Sequence, residues 1–483
     1  MVKISRYFGL LFALCSVLPV LGRSDSNALP NGAVVPSDDE VVTVSDLHFN
    51  PFYDPSLYSK LVAADPSQWA TIFQKYGAGG LPMYAADTNY PLLVLTLADM
   101  RKHIGASPVV LFTGDMLGHY IPENFYCEYY QQVPYQQVPT SACTLNFATF
   151  TPGPTAAAAM QQFVNKTFAF VAGQIRQYLG DTPVFYVPGN IDTYDVAGLG
   201  PDGDFLANNS GVVFNQLLAG SVSQAMFSTF ALGGYYAAHL GSKLLIIGLN
   251  SNSFVRGSPT YGRADNELEW LDIQLGIAQT AGKQVWILMH VPPGANPQMM
   301  TKVTPGQLDE DEVSMNWDPS LQSAFMEKLN KHPGVVTLML AGHTHMDEYR
   351  ILSSGDVLEQ LPGISPCFGN NPAYKVLRMM PGTFIPVDYE SFALNLLAKP
   401  APAEFQSLYT FSTAYPAPGV LSSSLQQLYP QLLSDETQRN SYIQYYVSGS
   451  FVLHPINPGN WPIFSCTIAD IDELDYIDCV NHY

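Results

Sequence analysis

Six short apolar, β-branched runs recur along this chain, and each ends abruptly in polar residues: "VVTVSDLHF", "VVLFTGDML", "VFYVPGNID", "LLIIGLNSN", "VWILMHVPP" and "VVTLMLAGHTH". Apolar runs of this length, closed by Gly or Pro, fit buried strands. The segments between them have a helical pattern: "DTNYPLLVLTLADMRKHI", "TAAAAMQQFVNKTFAFVAGQIRQYL", "NELEWLDIQLGIAQTAGK" and "DPSLQSAFMEKLNKH". Thr155 is read as the capping residue of the second, and the third carries apolar residues at helical spacing. Strands alternating with helices predict an α/β protein with a largely parallel sheet. Ligands in such folds gather beyond the carboxyl ends of the strands. Every polar cluster quoted above falls at such an end.

The composition narrows the class. Hydrophobic residues make up 47% of the 483 and charged residues only 13%, which describes a folded globular protein. A formal charge of −20 excludes a phosphate-backbone partner, so no nucleic-acid duplex is expected. The first residues, "MVKISRYFGLLFALCSVLPVLGRS", combine basic Lys3 and Arg6 with an apolar stretch over Tyr7–Leu21 and the small Gly22. That stretch is shorter than the roughly 20 residues a spanning helix needs. It predicts a secretory signal over 1–22 and a secreted protein, or one held in the lumen of the secretory or endolysosomal pathway. No later run is long and apolar enough to span a bilayer.

Cysteine usage agrees with export. The close pairs Cys127/Cys143 and Cys466/Cys479 are each expected to staple a loop, leaving Cys367 as a buried thiol. The first loop holds the polar tandem "YQQVPYQQVP". Two N-glycosylation sequons begin at Asn165 and Asn208. Organisation is read as a signal (1–22), a short N-terminal segment (23–40), a catalytic domain (41–396) and a Pro-interrupted, Tyr-rich, helical C-terminal subdomain (397–483).

The strand-end residues are Asp46 and His48, Asp115, Asn190, His290, and His343 with His345. On an extended segment residues i and i+2 share a face, so each close pair is expected to converge. Carboxylate, imidazole and amide oxygen suit borderline-hard divalent metals, with imidazole favouring zinc or iron. Seven such groups suffice for two ions about 3.5–4 Å apart, the geometry of two-metal phosphoester hydrolysis. A lone D-x-H, G-D or G-N carries little weight; the ordered series at successive strand ends carries much more.

That series, "DLH … GD … GN … H … GHTH", resembles the calcineurin-like metallophosphoesterase superfamily. "TGDMLGHY", which puts His119 four residues after Asp115, is similar to the acid sphingomyelinase-like phosphodiesterases, as are "GYYAAHLGSKLLIIGLNSN", "NELEWLDIQL", "VWILMHVPPG" and "ISPCFGNNPAYKV". The resemblance runs from about Val41 to Cys479. It implies a central β-sandwich flanked by helices, with a helical C-terminal subdomain. It further implies two zinc ions: one held by Asp46, His48 and His345, the other by Asn190, His290 and His343, with Asp115 bridging. A water shared by the ions is the implied nucleophile, and His119 the acid for the leaving alcohol.

One position departs from the pattern. The family continues "GNH", but this chain reads "PGNID", so Ile191 replaces a histidine that helps orient or protonate the phosphate. Loss of one electrostatic donor costs on the order of 10²–10³ in rate. The outcomes are that His119 does both jobs, that the substrate has a better leaving group, or that hydrolysis is weakened; the first is expected. Asn250, Asn370, Asn371, Trp317 and Tyr120 are read as turn or packing residues, and His239, His332 and His454 as structural or exposed. The expected substrate is a small phosphodiester of nucleotide type or a sphingomyelin-like head group. The cysteine-free stretch before Asp46 favours a soluble diester, with transient contact to a membrane surface through the aromatic tail. A monomer is expected. Phosphomonoesterase or polyphosphatase activity, or a weakly active binding protein on the same fold, are the alternatives.

Overall fold

The computed structural model describes residues 40–104, 109–135, 143–219, 224–400, 404–417 and 419–483. The expected signal, nearly all of the N-terminal segment and part of the "YQQVPYQQVP" loop lie outside the described residues. The strands are β1 (Glu40–Val44), β2 (Val110–Phe112), β3 (Val184–Tyr186), β4 (Tyr236–Leu240), β5 (Leu244–Gly248), β6 (Gln284–Leu288), β7 (Val336–Ala341), β8 (Glu348–Ile351), β9 (Val357–Gln360), β10 (Ala373–Met379), β11 (Pro386–Ala393) and β12 (Gln406–Thr410). They form two six-stranded sheets, ordered β12-β11-β10-β1-β2-β3 and β4-β5-β6-β7-β9-β8. The largely parallel sheet read from the alternation is therefore two mixed sheets, in the β-sandwich that the resemblance implied. Each sheet has a parallel block (β1-β2-β3, which reaches one edge, and β5-β6-β7-β9) extended by antiparallel strands. The six runs read from the sequence are the parallel blocks without β9.

The apolar runs are continuous because both faces of the interior strands are covered. In β5, β6 and β7 alternate residues go to different cores. Leu244, Ile246, Trp286, Leu288, Leu338 and Leu340 join the layer between the sheets. Leu245, Ile247, Val285, Ile287 and Met339 pack instead with Leu268, Leu271 and Leu275 of helix Ala264–Thr280 and with Phe325 and Leu329 of helix Pro319–Lys331. This is a β-sandwich flanked by helices.

The expected helices form as Tyr90–Met100, Pro154–Leu179, Ala264–Thr280 and Pro319–Lys331. Asn89 and Asp318 cap the first and last by accepting from Leu92 N and Ser320 N. Thr155 is not a cap: its helix starts one residue earlier at Pro154, with Gly153 at the N-cap and no side-chain cap bond. Past residue 397 the composition changes before the sheet ends, because Gln406–Thr410 pairs with β11 as an edge strand. Five helices follow, from Phe411–Ala414 to Glu473–His482. Cys127–Cys143 and Cys466–Cys479 are bridged, with Cα–Cα distances of 5.6 and 5.9 Å, inside the disulfide range. Among the described residues no helix is long and apolar enough to cross a membrane.

Candidate metal centre

The carboxyl ends of β1, β2 and β3 in one sheet and of β6 and β7 in the other meet along one edge of the sandwich, and their loops are stitched together there. Asp46 N donates to Gly114 O (3.0 Å), His48 N to Asp115 O (2.9 Å), and Gly342 N to His290 O (3.0 Å). Two glycines are required by this close approach. A Cβ on Gly189 would overlap the Asp115 carboxylate, and one on Gly342 would overlap Ser45 Oγ. The G-N and G-H pairs in the sequence are thus steric necessities of bringing the loops together.

All seven strand-end residues converge. Their convergence is not that of an extended segment, as the spacing suggested. Asp46 (φ 50°), His48 (43°), Asp115 (55°), His343 (76°) and His345 (63°) are all left-handed. A non-glycine residue pays about 1–2 kcal/mol for that conformation, and such strain persists where the surroundings over-determine it, typically at functional sites. The His343/His345 pair also divides, whereas Asp46 and His48 stay together, with His48 Nε2 3.7 Å from Asp46 Oδ1. His345 Nε2 lies 3.0 Å from His48 Nε2 and 3.4 Å from Asp46 Oδ1. His343 Nδ1 turns instead to Asn190 Oδ1 at 2.9 Å, which His290 Nε2 also approaches at 2.9 Å. Asp115 Oδ2 sits between the groups, 3.3 Å from His48 Nε2 and 3.2 Å from His290 Nε2.

The electrostatics describe a buried site in need of positive charge. Asp46 and Asp115 are buried with no Lys or Arg beside them among the described ion pairs. Burial alone would raise Asp46, but the His345 ring and the His48 hydrogen bond outweigh it and hold it at about 2. Asp115 is pushed low in the same way, against burial, by His290 and His48. Burial opposes charge on His48 and His290, yet the Asp115 carboxylate raises both to about 9. His343 and His345 are pushed down to about 4 and 3, first by burial, with the neighbouring His290 and His48 rings adding repulsion. Four imidazoles and two buried carboxylates that no Lys or Arg meets make a donor set that fits divalent transition metals. Asp46, His48 and His345, and separately Asp46, Asp115 and His290, each offer ligand atoms within 4.8 Å of one another. Backbone carbonyls fix two of the rings from behind: His290 Nδ1 is 2.8 Å from Thr113 O and His345 Nδ1 is 3.2 Å from Ser365 O.

His119 stacks on His48, with ring centroids 4.2 Å apart and planes 8° from parallel. Its Nδ1 is 2.8 Å from Asp87 Oδ1, and its N–H donates to Asp87 Oδ2 at 2.8 Å. Asp87 escaped the sequence reading, as did Asp192 two residues past Asn190. Asp192 accepts from Met116 N, Leu117 N, Gly189 N and Tyr186 Oη at 2.6–3.0 Å, clamping the Asp115 loop to the Asn190 loop. The "GNID" that lacked the expected histidine contained this signal. Ile191 is half-buried, its N–H donating to Asp115 Oδ1 at 2.8 Å and its side chain beside Gly198. Two cavities open here, of about 130 and 300 Å³. Both are walled by His119 and Tyr120; Ile191 lines the smaller, and Asp87, Cys367 and Phe368 line the larger.

The remaining residues fall mostly as read. Asn250 donates to Gly233 O, Asn370 to Gly363 O, and Asn371 to Ser448 O, all buried. Trp317 is buried and donates to Val291 O. His332 pairs with Asp272 at 2.7 Å and His239 neighbours Lys283, both away from the centre. Tyr120, read as packing, instead borders both cavities. Cys367 is free and half-buried, its Sγ 3.7 Å from His345 Nδ1. Asn165 lies mid-helix, half-buried, accepting from Tyr194 and Asn209, whereas Asn208 is exposed.

Comparison with known proteins agrees with this geometry. The calcineurin-like phosphoesterase family profile matches residues 40–347. "Sphingomyelinase phosphodiesterase C" of Dictyostelium discoideum is 24% identical over 67% of this chain and 66% of its own length. The cyclic GMP-AMP phosphodiesterase of Rattus norvegicus is 26% identical over 54% of this chain and 60% of its own length. "Acid sphingomyelinase-like phosphodiesterase 3b" of Homo sapiens is 22% identical over 83% and 81%. The match spans just under two thirds of the first two relatives. That family uses a dinuclear metal centre, and the chain described here belongs to the calcineurin-like phosphoesterases, on their acid sphingomyelinase-like side.

Proposed function

We propose that this protein is a secreted, metal-dependent phosphodiesterase that hydrolyses small diesters, of nucleotide type or from lipid head groups. One observation carries the reading: two buried carboxylates with no Lys or Arg partner, four imidazoles and an amide oxygen converge from both sheets, five of the seven residues in strained, left-handed backbone. Asp46, His48 and His345 hold one divalent ion, Asn190, His290 and His343 the other, and Asp115 lies between them. Zinc is the preferred metal on the imidazole-rich donor set. When bound, the pair of ions supplies a water acidic enough to ionise near neutral pH and positive charge against the phosphoryl oxygens. The rest is done by this chain. The Asp87 carboxylate holds the His119 ring by Nδ1, leaving Nε2 to give a proton to the departing oxygen. Asp192 keeps the loops of Asp115 and Asn190 in register.

A diester rather than a monoester fits the two cavities that share His119, since each arm of the phosphate then has a berth. The names of the relatives point the same way. Export is supported by two formed disulfides, which are rare in reducing compartments. A monomer, transient membrane contact, and glycans at Asn208 and Asn165 complete the proposal. The test is purified protein on a bis-aryl phosphodiester, an aryl phosphomonoester, a nucleoside triphosphate and micellar sphingomyelin, with and without chelator. Chelator-sensitive hydrolysis of the diesters is expected. Preference for the monoester or triphosphate sinks the diesterase reading, and metal-loaded protein without any turnover sinks the enzyme.

A further inference from the structure

Ile191 leaves the leaving-group side of the site one proton donor short, and the wall opposite supplies a candidate. Glu123 stands in the first turn of helix Ile121–Gln131 and lines the same cavity of about 130 Å³ as His119 and Ile191. His119, Ile191 and Glu123 all line this one cavity, so a leaving group seated in it has both an imidazole and a carboxyl in its walls. Glu123 is 5% exposed, and among the described residues no Lys, Arg or His pairs with it. A buried acid without a cationic partner has no structural reason to be charged.

We propose that Glu123 is a second catalytic acid of this site, doing in the leaving-group cavity the work that the replaced histidine at position 191 does elsewhere in the family. The inference rests on the phosphodiesterase reading above. In the step, the water oxygen forms a bond to phosphorus as the bond from phosphorus to the leaving oxygen breaks. That oxygen keeps the electron pair and takes one proton, from the Glu123 carboxyl when it is docked against that wall and from His119 Nε2 when it is docked against the other, while the attacking water gives up its proton to solvent. Used in this way, Glu123 is left as carboxylate and is reprotonated through the cavity mouth. The surroundings favour a carboxyl that holds its proton until it is needed. Burial raises it to about 7, and the nearby Asp195 carboxylate adds to the effect, so it stays neutral at acidic pH although a helix N-terminus favours the charged form. The groups facing it are Asp195 on the loop after β3, His119, Tyr120 and Tyr135. Of these, His119 is the one group able to carry positive charge, and it faces a carboxylate partner of its own in Asp87.

The test compares the parent with Glu123→Gln, Ile191→His and the double variant on two diesters, one releasing 4-nitrophenol and one releasing phenol, at pH 5. General-acid help grows with the basicity of the leaving oxygen and is worth about 10²–10⁴-fold. Glu123→Gln should stay within about threefold of the parent on the nitrophenyl ester and fall about 10²-fold on the phenyl ester. Adding Ile191→His should restore at least tenfold on the phenyl ester, and the infrared absorption of protonated carboxyls should lose the intensity of one group in Glu123→Gln. Equal losses on both esters, no loss on either, or no recovery in the double variant overturn the assignment. A parent inactive on both esters overturns the hydrolase reading itself.

Discussion

Asp87 decides what His119 can do. Its two oxygens take both the ring and the main-chain N–H of His119, and a hydrogen bond from Asn50 Nδ2 at 3.1 Å orients the carboxylate further. Burial would raise its pKa, but His119 holds it low, so it stays an acceptor. Asp87→Asn should retain the full metal content by elemental analysis and lose about 10–10² in turnover, the scale of a lost supporting hydrogen bond. Loss of metal together with rate would place Asp87 among the ligands instead. Residues of this kind explain what was legible in the sequence. The seven strand-end groups stood out because metal ligation admits few side-chain types and their order along the chain is distinctive. Asp87 and Asp192 carried no such mark: an acidic residue in a loop looks the same whether it caps a turn or anchors a catalytic ring. The left-handed backbone at five of the seven positions was equally invisible, since nothing in Asp-Leu-His or His-Thr-His requires φ > 0.

Among the elements, helix Ala264–Thr280 carries an unusual charge burden. Glu267 is fully buried, accepts from Asn250 N at 2.7 Å and has Oε2 buried without a partner. Burial lifts its pKa well above the ordinary 4.5, and the Asn250 bond only partly opposes that. A raised acid holds its proton in the folded chain and releases it on unfolding. Its contribution is therefore full below pH 4.5 and is lost as pH rises toward the folded value. Glu267→Gln should match the parent in urea unfolding near pH 4.5. It should then outlast the parent increasingly toward pH 8, by at most about 1.4 kcal/mol per pH unit; curves that stay parallel would mean the carboxyl is not neutral. The helix itself was readable from its apolar stripe, as were six of the parallel strands, because burial on both faces leaves an uninterrupted apolar run. The finishing strands were not. In β11 buried and half-buried residues are mixed, and such a pattern is common to edges and loops. Thr155 misled because a good capping residue stood beside a Pro that already starts the helix.

For the whole molecule, periodicity reports burial residue by residue and says nothing about which strands pair, so the alternation spoke only of a largely parallel sheet, and the two stacked layers were legible through the resemblance alone. Nor did composition reveal how firmly the C-terminal helices hold the catalytic core. Asp347 N donates to Tyr446 O at 2.9 Å, Asn371 Nδ2 to Ser448 O at 3.0 Å, and Gln322 Nε2 to Ile471 O at 2.8 Å. Asp347 and Asn371 flank the loops of His345 and Cys367. A chain ending at residue 420 should therefore accumulate as insoluble protein or bind less metal than the full chain, measured by soluble yield and elemental analysis; full metal content in a soluble fragment would show these helices to be dispensable. The bridge Cys466–Cys479 contributes to the same region, on the scale of about 2–4 kcal/mol.

The centre draws four of its groups from the ends of β1, β2 and β3 and three from β6 and β7. A cluster rooted on both sides of a sandwich is a clasp: filled, it draws the two layers together at one edge, and emptied, it frees the three strained loops after β1, β2 and β7 at once to relax away from each other. Amide hydrogen exchange should then accelerate in concert after β3 and after β7 when the ions are stripped, and slow again when zinc is returned, while the middles of the strands keep their protection. The occupancy of a small polar spot would thus be felt as the stiffness of a seam.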